Sequence, residues 1–152
     1  MPIDFEVVID VDAPPRLVFD LALDIDAHLA SMASSGETAV GGVTEGLIGL
    51  GEEVTWRARH FGVVWTMTSR VTEFDAPRRF VDEQVRGPFK TFRHVHLFNE
   101  IPGGTRMTDQ VAFTAPLGPL GRIAEVVALG RYLPRLIRER SEFLRQAAQN
   151  TK

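Results

Sequence analysis

Apolar and polar residues alternate at the start of the chain. Phe5, Val7, Ile9 and Val11 are separated by Glu6, Val8 and Asp10, so residues 4 to 12 are expected to form a strand with one buried face. Asp12 and Ala13-Pro14-Pro15 end that strand and open a helix, whose first turn tolerates proline. Leu17, Val18, Leu21, Ile25 and Leu29 continue at helical spacing, and Asp24 is placed to cap a second short helix among them.

From residue 36 the pattern returns to short strand-like segments divided by turn residues: Gly41-Gly42, Gly49 to Gly51, Gly62, Asp75-Ala76-Pro77, Gly87-Pro88 and Pro102-Gly103-Gly104. Each divider supplies a positive φ or lacks a donor, so six further strands are expected, at 37–43, 51–60, 63–74, 78–86, 89–100 and 104–114. Beyond Pro116 and Gly118-Pro119, the residues Leu120, Ile123, Val127, Leu133, Ile137, Leu144 and Ala148 form the stripe of a long amphipathic helix. Its opposite face is read as carrying Arg131, Arg135, Arg138, Glu139, Arg140, Glu142 and Arg145. Pro134 falls inside that helix four residues after Gly130, and a kink is expected there.

This order specifies an α+β fold: a curved seven-stranded antiparallel sheet wrapped around a long C-terminal helix, with two short helices after the first strand. Side chains do not fill a strongly bent sheet along its whole length, so the mouth is expected to be a ligand site. The 152 residues suffice for one domain, taken as 1–152. With 44% hydrophobic and 24% charged residues, apolar runs too short to cross a bilayer and no signal-like N-terminus, the expectation is a soluble cytoplasmic protein without stable membrane insertion. The absence of cysteine excludes disulfides, thiolate catalysis and Cys-ligated metal. A net charge of -3 argues against nucleic-acid binding.

Strand parity selects the side chains that point inward. Val54, Trp56, Ala58 and His60 share one face, with Thr55, Arg57 and Arg59 on the other. Val63, Trp65 and Met67 oppose Thr66, Thr68 and Arg70. Phe92, His94, His96 and Phe98 share a face, as do Met107, Asp109, Val111 and Phe113. The proposed ligand-binding set is therefore Trp56, His60, Trp65, Met67, Phe92, Phe98, Met107 and Phe113, which could equally be core. His94, His96 and Asp109 are expected to project together toward the cavity as candidate catalytic groups, since a carboxylate beside an imidazole suits acid–base work on an enolisable carbonyl. The alternatives are a buried hydrogen-bond network that fixes strand register and, ranked lower, a metal held by His94, His96 and Asp109. Neither a metal nor a cofactor is expected. Asp82, with Glu83 or Gln84, is ambiguous in facing and ranks below the histidines, while the arginines of the sheet and terminal helix read as solvated faces. Neither a phosphate-binding glycine loop nor a nucleophile elbow is present.

The element order, together with Asp12-Ala13-Pro14 before Val18-Phe19, the stretch Val54-Thr55-Trp56-Arg57, the loop Gly87-Pro88-Phe89, the run Gly104 to Asp109 and Pro116-Leu117-Gly118-Pro119, resembles the START/Bet v 1-like (SRPBCC) superfamily of polyketide cyclases, dehydrases and lipid-transfer proteins. The resemblance implies a helix-grip fold and the binding or carriage of a hydrophobic small molecule such as a polyketide or lipid. It also implies two alternatives: an aromatase/cyclase or dehydrase using His94, His96 and Asp109, or an adaptor like the small accessory subunit of carbon monoxide dehydrogenase. Oligomeric state is left open, a homodimer included.

Overall fold

The computed structural model describes residues 3–115 and 129–151. The first strand, β1 (Ile3–Val11), leads through Pro14 into α1 (Pro15–Leu23) and α2 (Ile25–Ser31), followed by a 3-10 turn at Ala33–Ser35. Asp24 caps α2 as its position requires, accepting from the backbone N–H groups of Asp26 at 2.9 Å and Ala27 at 3.3 Å. Six strands follow: β2 (Thr38–Gly42), β3 (Glu53–His60), β4 (Val63–Asp75), β5 (Arg79–Arg86), β6 (Thr91–Ile101) and β7 (Gly104–Thr114). The chain ends in α3 (Gly130–Thr151).

All strands join one antiparallel sheet in the order β1-β7-β6-β5-β4-β3-β2, so only β1 pairs out of sequence, against β7. This is the seven-stranded helix-grip arrangement the pattern specified, with α3 lying across the concave face. The β6–β7 turn needs both its glycines for different reasons. Gly103 holds φ at +87°, which a Pro-Gly turn demands at its third residue, and a Cβ on Gly104 would lie 2.0 Å from the carbonyl oxygen of Val11. At the β3–β4 hairpin, Phe61 and Gly62 both have positive φ, of +53° and +73°, as a two-residue primed turn requires, so an aromatic residue occupies a position that favours glycine or asparagine.

Two clusters of buried side chains anchor the interior. One joins Phe19 of α1 to Phe80, Phe98 and Met107 on the sheet and to Leu144 and Ala148 of α3. The other joins Val7, Val111 and Phe113 to Leu133, Leu136 and Ile137 near the start of α3. The expected helical residues 120–128 lie outside the described residues, as does the segment against which a kink at Gly130 and Pro134 would be measured; Pro134 stands within α3. Among the described residues no helix is long and apolar enough to cross a membrane.

Candidate functional site

Between the curved sheet and α3 lies a cavity of about 190 Å³, room for on the order of ten water-sized spheres. Of the ligand-binding set, Trp56 and His60 of β3, Trp65 and Met67 of β4 and Phe92 of β6 stand in its wall. Phe98, Met107 and Phe113 do not, which corrects that part of the expectation. They face inward but are almost wholly buried in side-chain contacts: Phe98 lies 5.3 Å from the ring of Phe19, Met107 in the same cluster, and Phe113 5.6 Å from Phe89. Parity gives the face of a strand, whereas α1 and α3 decide how much of that face is covered.

One part of the cavity wall is formed where the β3–β4 turn meets the first turn of α3. His60 Nδ1 and the Tyr132 hydroxyl are 2.5 Å apart, and the Phe61 ring, itself mostly exposed, lies 4.7 Å from that of Tyr132. Burial pushes the His60 imidazole below its ordinary pKa, an effect partly offset by the Glu37 carboxylate.

Farther in, charged groups converge. His94 and His96 occupy alternate positions on β6, so their rings share a face and stack with centroids 3.7 Å apart; Phe80 covers the other side of His96 at 4.0 Å. His96 Nε2 is 2.6 Å from Asp82 Oδ2, and His94 Nε2 is 2.8 Å from Asp109 Oδ1. A carboxylate only accepts, so the network assigns the His94 proton to Nε2. Asp109 also accepts from Ser141 Oγ at 2.9 Å and from Arg140 Nη1 at 3.4 Å, and it stands 3.3 Å from His96 Nδ1 without a well-aligned hydrogen bond.

Two expectations are corrected here. Asp109 does not project into the cavity with the histidines: its side chain is 0% exposed and lies behind them, whereas Asp82 stands in the wall with 23% of its side chain accessible. Arg140 is not on the solvated face of α3; it is 3% exposed and reaches the cavity. The sequence held a signal for this, because residues 133, 137, 140, 144 and 148 follow one helical stripe and Arg140 interrupts it with a charge. Asp82 is ambiguous by parity because Phe80 and Val81 are both apolar and both buried; Phe80 and Asp82 share the cavity side.

The electrostatics separate the two imidazoles. For His94, burial opposes the charged form, the neighbouring His96 adds to that, and the pKa is lowered despite Asp109. For His96, burial acts in the same direction, but the adjacent Asp109 carboxylate and the hydrogen bond to Asp82 outweigh it and raise the pKa. Burial would raise both carboxyl groups; Asp82 is nonetheless held low chiefly by His96, and Asp109 well below the ordinary range by His94 and His96. The environment thus favours the charged form of His96 and the neutral form of His94, beside two carboxylates and the Arg140 guanidinium. The donor atoms of Asp82, His94 and His96 lie within 4.8 Å of one another, so these are the residues that could hold a cation, His94 and His96 with Asp82 rather than with Asp109.

Residues 2–149 match the family described as polyketide cyclase / dehydrase and lipid transport. The chain belongs to that family. Among solved structures it is similar to TTHA0849 from Thermus thermophilus, with 15% identity, a TM-score of 0.81 and 99% of each chain covered. It is also similar to Ara h 8.0201, with 12% identity, a TM-score of 0.72 and 99% of each chain covered. The ginseng major latex-like protein 151 from Panax ginseng has 11% identity and a TM-score of 0.70, over 97% of this chain and 98% of that one. At these identities the likeness is one of fold, the Bet v 1-like helix grip. No curated protein sequence matches the chain.

Proposed function

We propose that this chain binds or carries a hydrophobic small molecule, of polyketide or lipid type, with its apolar body between Trp56, Trp65 and Met67 and a polar oxygen group at the inner end against Arg140 and His96. The observation that carries this reading is the cavity itself, whose wall is mostly apolar and in which these charged groups converge at one end. Burying a carbonyl, carboxylate or enol there is supported by donors already fixed in place, so little ordering remains to be done on binding. The test is titration with 1-anilinonaphthalene-8-sulfonate, together with solvent extraction of the purified protein and mass spectrometry. One displaceable probe per chain is expected; absence of both probe binding and extractable ligand ends the reading.

A second reading, cyclase or dehydrase chemistry, is favoured by two stacked imidazoles whose pKa values are pushed in opposite directions. Neutral His94 takes a proton from the carbon between two carbonyls, the resulting enolate attacks a second carbonyl to form a carbon–carbon bond, and protonated His96 gives its proton to the new alkoxide. Asp109, in contact with both rings, is a positioning residue in this scheme, and Asp82 orients His96 from the cavity side. Loss of cyclisation of a poly-β-ketone in His94→Ala and His96→Ala, with retained probe binding, is the expected result; unchanged turnover in both rules it out.

A further inference from the structure

The cavity has a second polar end. Glu37 lies between the 3-10 turn and β2, and its side chain is only 7% exposed although the neighbouring positions of β2 alternate toward solvent. Its Oε1 is 2.5 Å from His28 Nε2, and the His28 ring lies 4.1 Å from that of Trp56, inclined at 31°. All three residues stand in the cavity wall. Glu37 Oε2 has no hydrogen-bond partner among the described residues. A carboxylate offers about four acceptor positions, and enclosing it in an apolar wall with one of them used is costly unless something in the cavity supplies a donor.

The two polar ends face each other along the sheet. Trp56, beside Glu37 and His28, is on β3; Asp82 is on β5 and His94 on β6. Two to three strand spacings therefore separate the ends, about 10–15 Å along the sheet. Trp65 and Met67 occupy the strand between, so the intervening wall suits a flat apolar body. The ends differ in chemistry: Arg140 brings donors to one end, beside the Asp82 carboxylate that His96 already serves, while Glu37 presents an acceptor at the other.

We propose that Glu37, oriented by His28, forms a second polar subsite that accepts a hydrogen bond from a ligand hydroxyl, so that the cavity selects molecules with an acidic or carbonyl oxygen at one end and a hydroxyl at the other over molecules with a single polar head. This rests on the binding reading above and narrows its ligand class: a single-headed acyl chain leaves Glu37 unsatisfied, whereas a ring compound hydroxylated at its far end does not.

The test compares 2-naphthoic acid with 6-hydroxy-2-naphthoic acid, whose hydroxyl and carboxylate stand at opposite ends of two fused rings, by calorimetry on the wild-type chain and on Glu37→Gln and Glu37→Leu. Wild type is expected to bind the hydroxylated acid about ten-fold more tightly, the scale of a hydrogen bond to a charged acceptor. Both variants are expected to shrink that preference while leaving the affinity for 2-naphthoic acid within about two-fold, which also serves as the control for folding. Equal wild-type affinity for the two acids, or variants that weaken both acids alike, overturns the subsite and leaves the binding reading standing. If wild type binds neither acid nor the anilinonaphthalene probe, both fall.

Discussion

The Asp109 carboxylate and the His96 imidazole stand 3.3 Å apart on the side of the ring away from the cavity, while Asp82 meets the same ring at 2.6 Å from the cavity side. His96 is therefore suspended between a sealed carboxylate and an accessible one. The sealed one also carries Ser141 and Arg140 of α3, so it ties the terminal helix to the sheet. The roles of the two acids should be separable.

Replacing Asp109 with Asn leaves Arg140 and His96 buried without their shared counter-charge, and a loss of about 3–5 kcal/mol is expected. Asp82→Asn removes a partner that the cavity can partly replace with water, and should cost about 1–2 kcal/mol. Urea unfolding monitored by tryptophan fluorescence measures both. Equal losses would refute the division of roles.

The stability contributed by His96 depends on pH with a definite sign. Its folded pKa is raised, so the native protein holds the proton more tightly than the unfolded chain does; the contribution is complete below the unfolded imidazole pKa of about 6.5 and is lost as pH rises through the folded value. The stability difference between wild type and His96→Gln should thus be widest below about pH 6.5 and narrow as pH rises above it. His94, whose pKa is lowered, should give the opposite trend. A His96 difference that grows with pH would reverse the assignment.

The two glycines of the β6–β7 turn separate strain from collision. Gly103→Ala adds a Cβ in open space at positive φ and should cost about 1 kcal/mol. Gly104→Ala drives a Cβ into the Val11 carbonyl oxygen and must move β1 from β7, at about 2–3 kcal/mol or more. Thermal unfolding of the pair orders them, and equal values would contradict the contact.

Filling the cavity should remove binding without unfolding the protein. Ala58 is buried in the wall and paired with Trp65 across β3 and β4, so Ala58→Trp occupies ligand space instead of displacing core side chains. Probe affinity is expected to fall at least about ten-fold with a stability change below about 1 kcal/mol. Undiminished probe binding would locate the ligand elsewhere.

Tyr132→Phe removes the hydroxyl that joins α3 to His60 in the cavity wall. Faster ligand dissociation and faster amide exchange over residues 60–63 are expected, with the centre of β6 unchanged. Uniform exchange across the sheet would show that this contact does not govern access.

Much of this was readable in the sequence for a physical reason. Period-two alternation and glycine or proline turns are local signals, so β1 to β7, their order and the inward faces of Trp56, Trp65, His94 and His96 followed from residues close in the chain. Asp82 stayed ambiguous in facing because Phe80 and Val81 are both apolar, and the depth of Asp109, behind the rings, depends on Ser141 and Arg140 from a helix about thirty residues away. Arg140 was misread because a charge on a surface-like helix is usually solvated, although its place in the Leu133–Ala148 stripe pointed inward. His28 lies in the short helix α2 and Glu37 in the link between the 3-10 turn and β2, so nothing periodic marks them.

Ser141 and Arg140 are adjacent in α3, and both reach the same carboxylate on β7. A helix displaced by even one turn would withdraw hydroxyl and guanidinium together, leaving a buried acid with only the two histidines of β6 beside it. Docking of the terminal helix and completion of the buried charge cluster are thus one event.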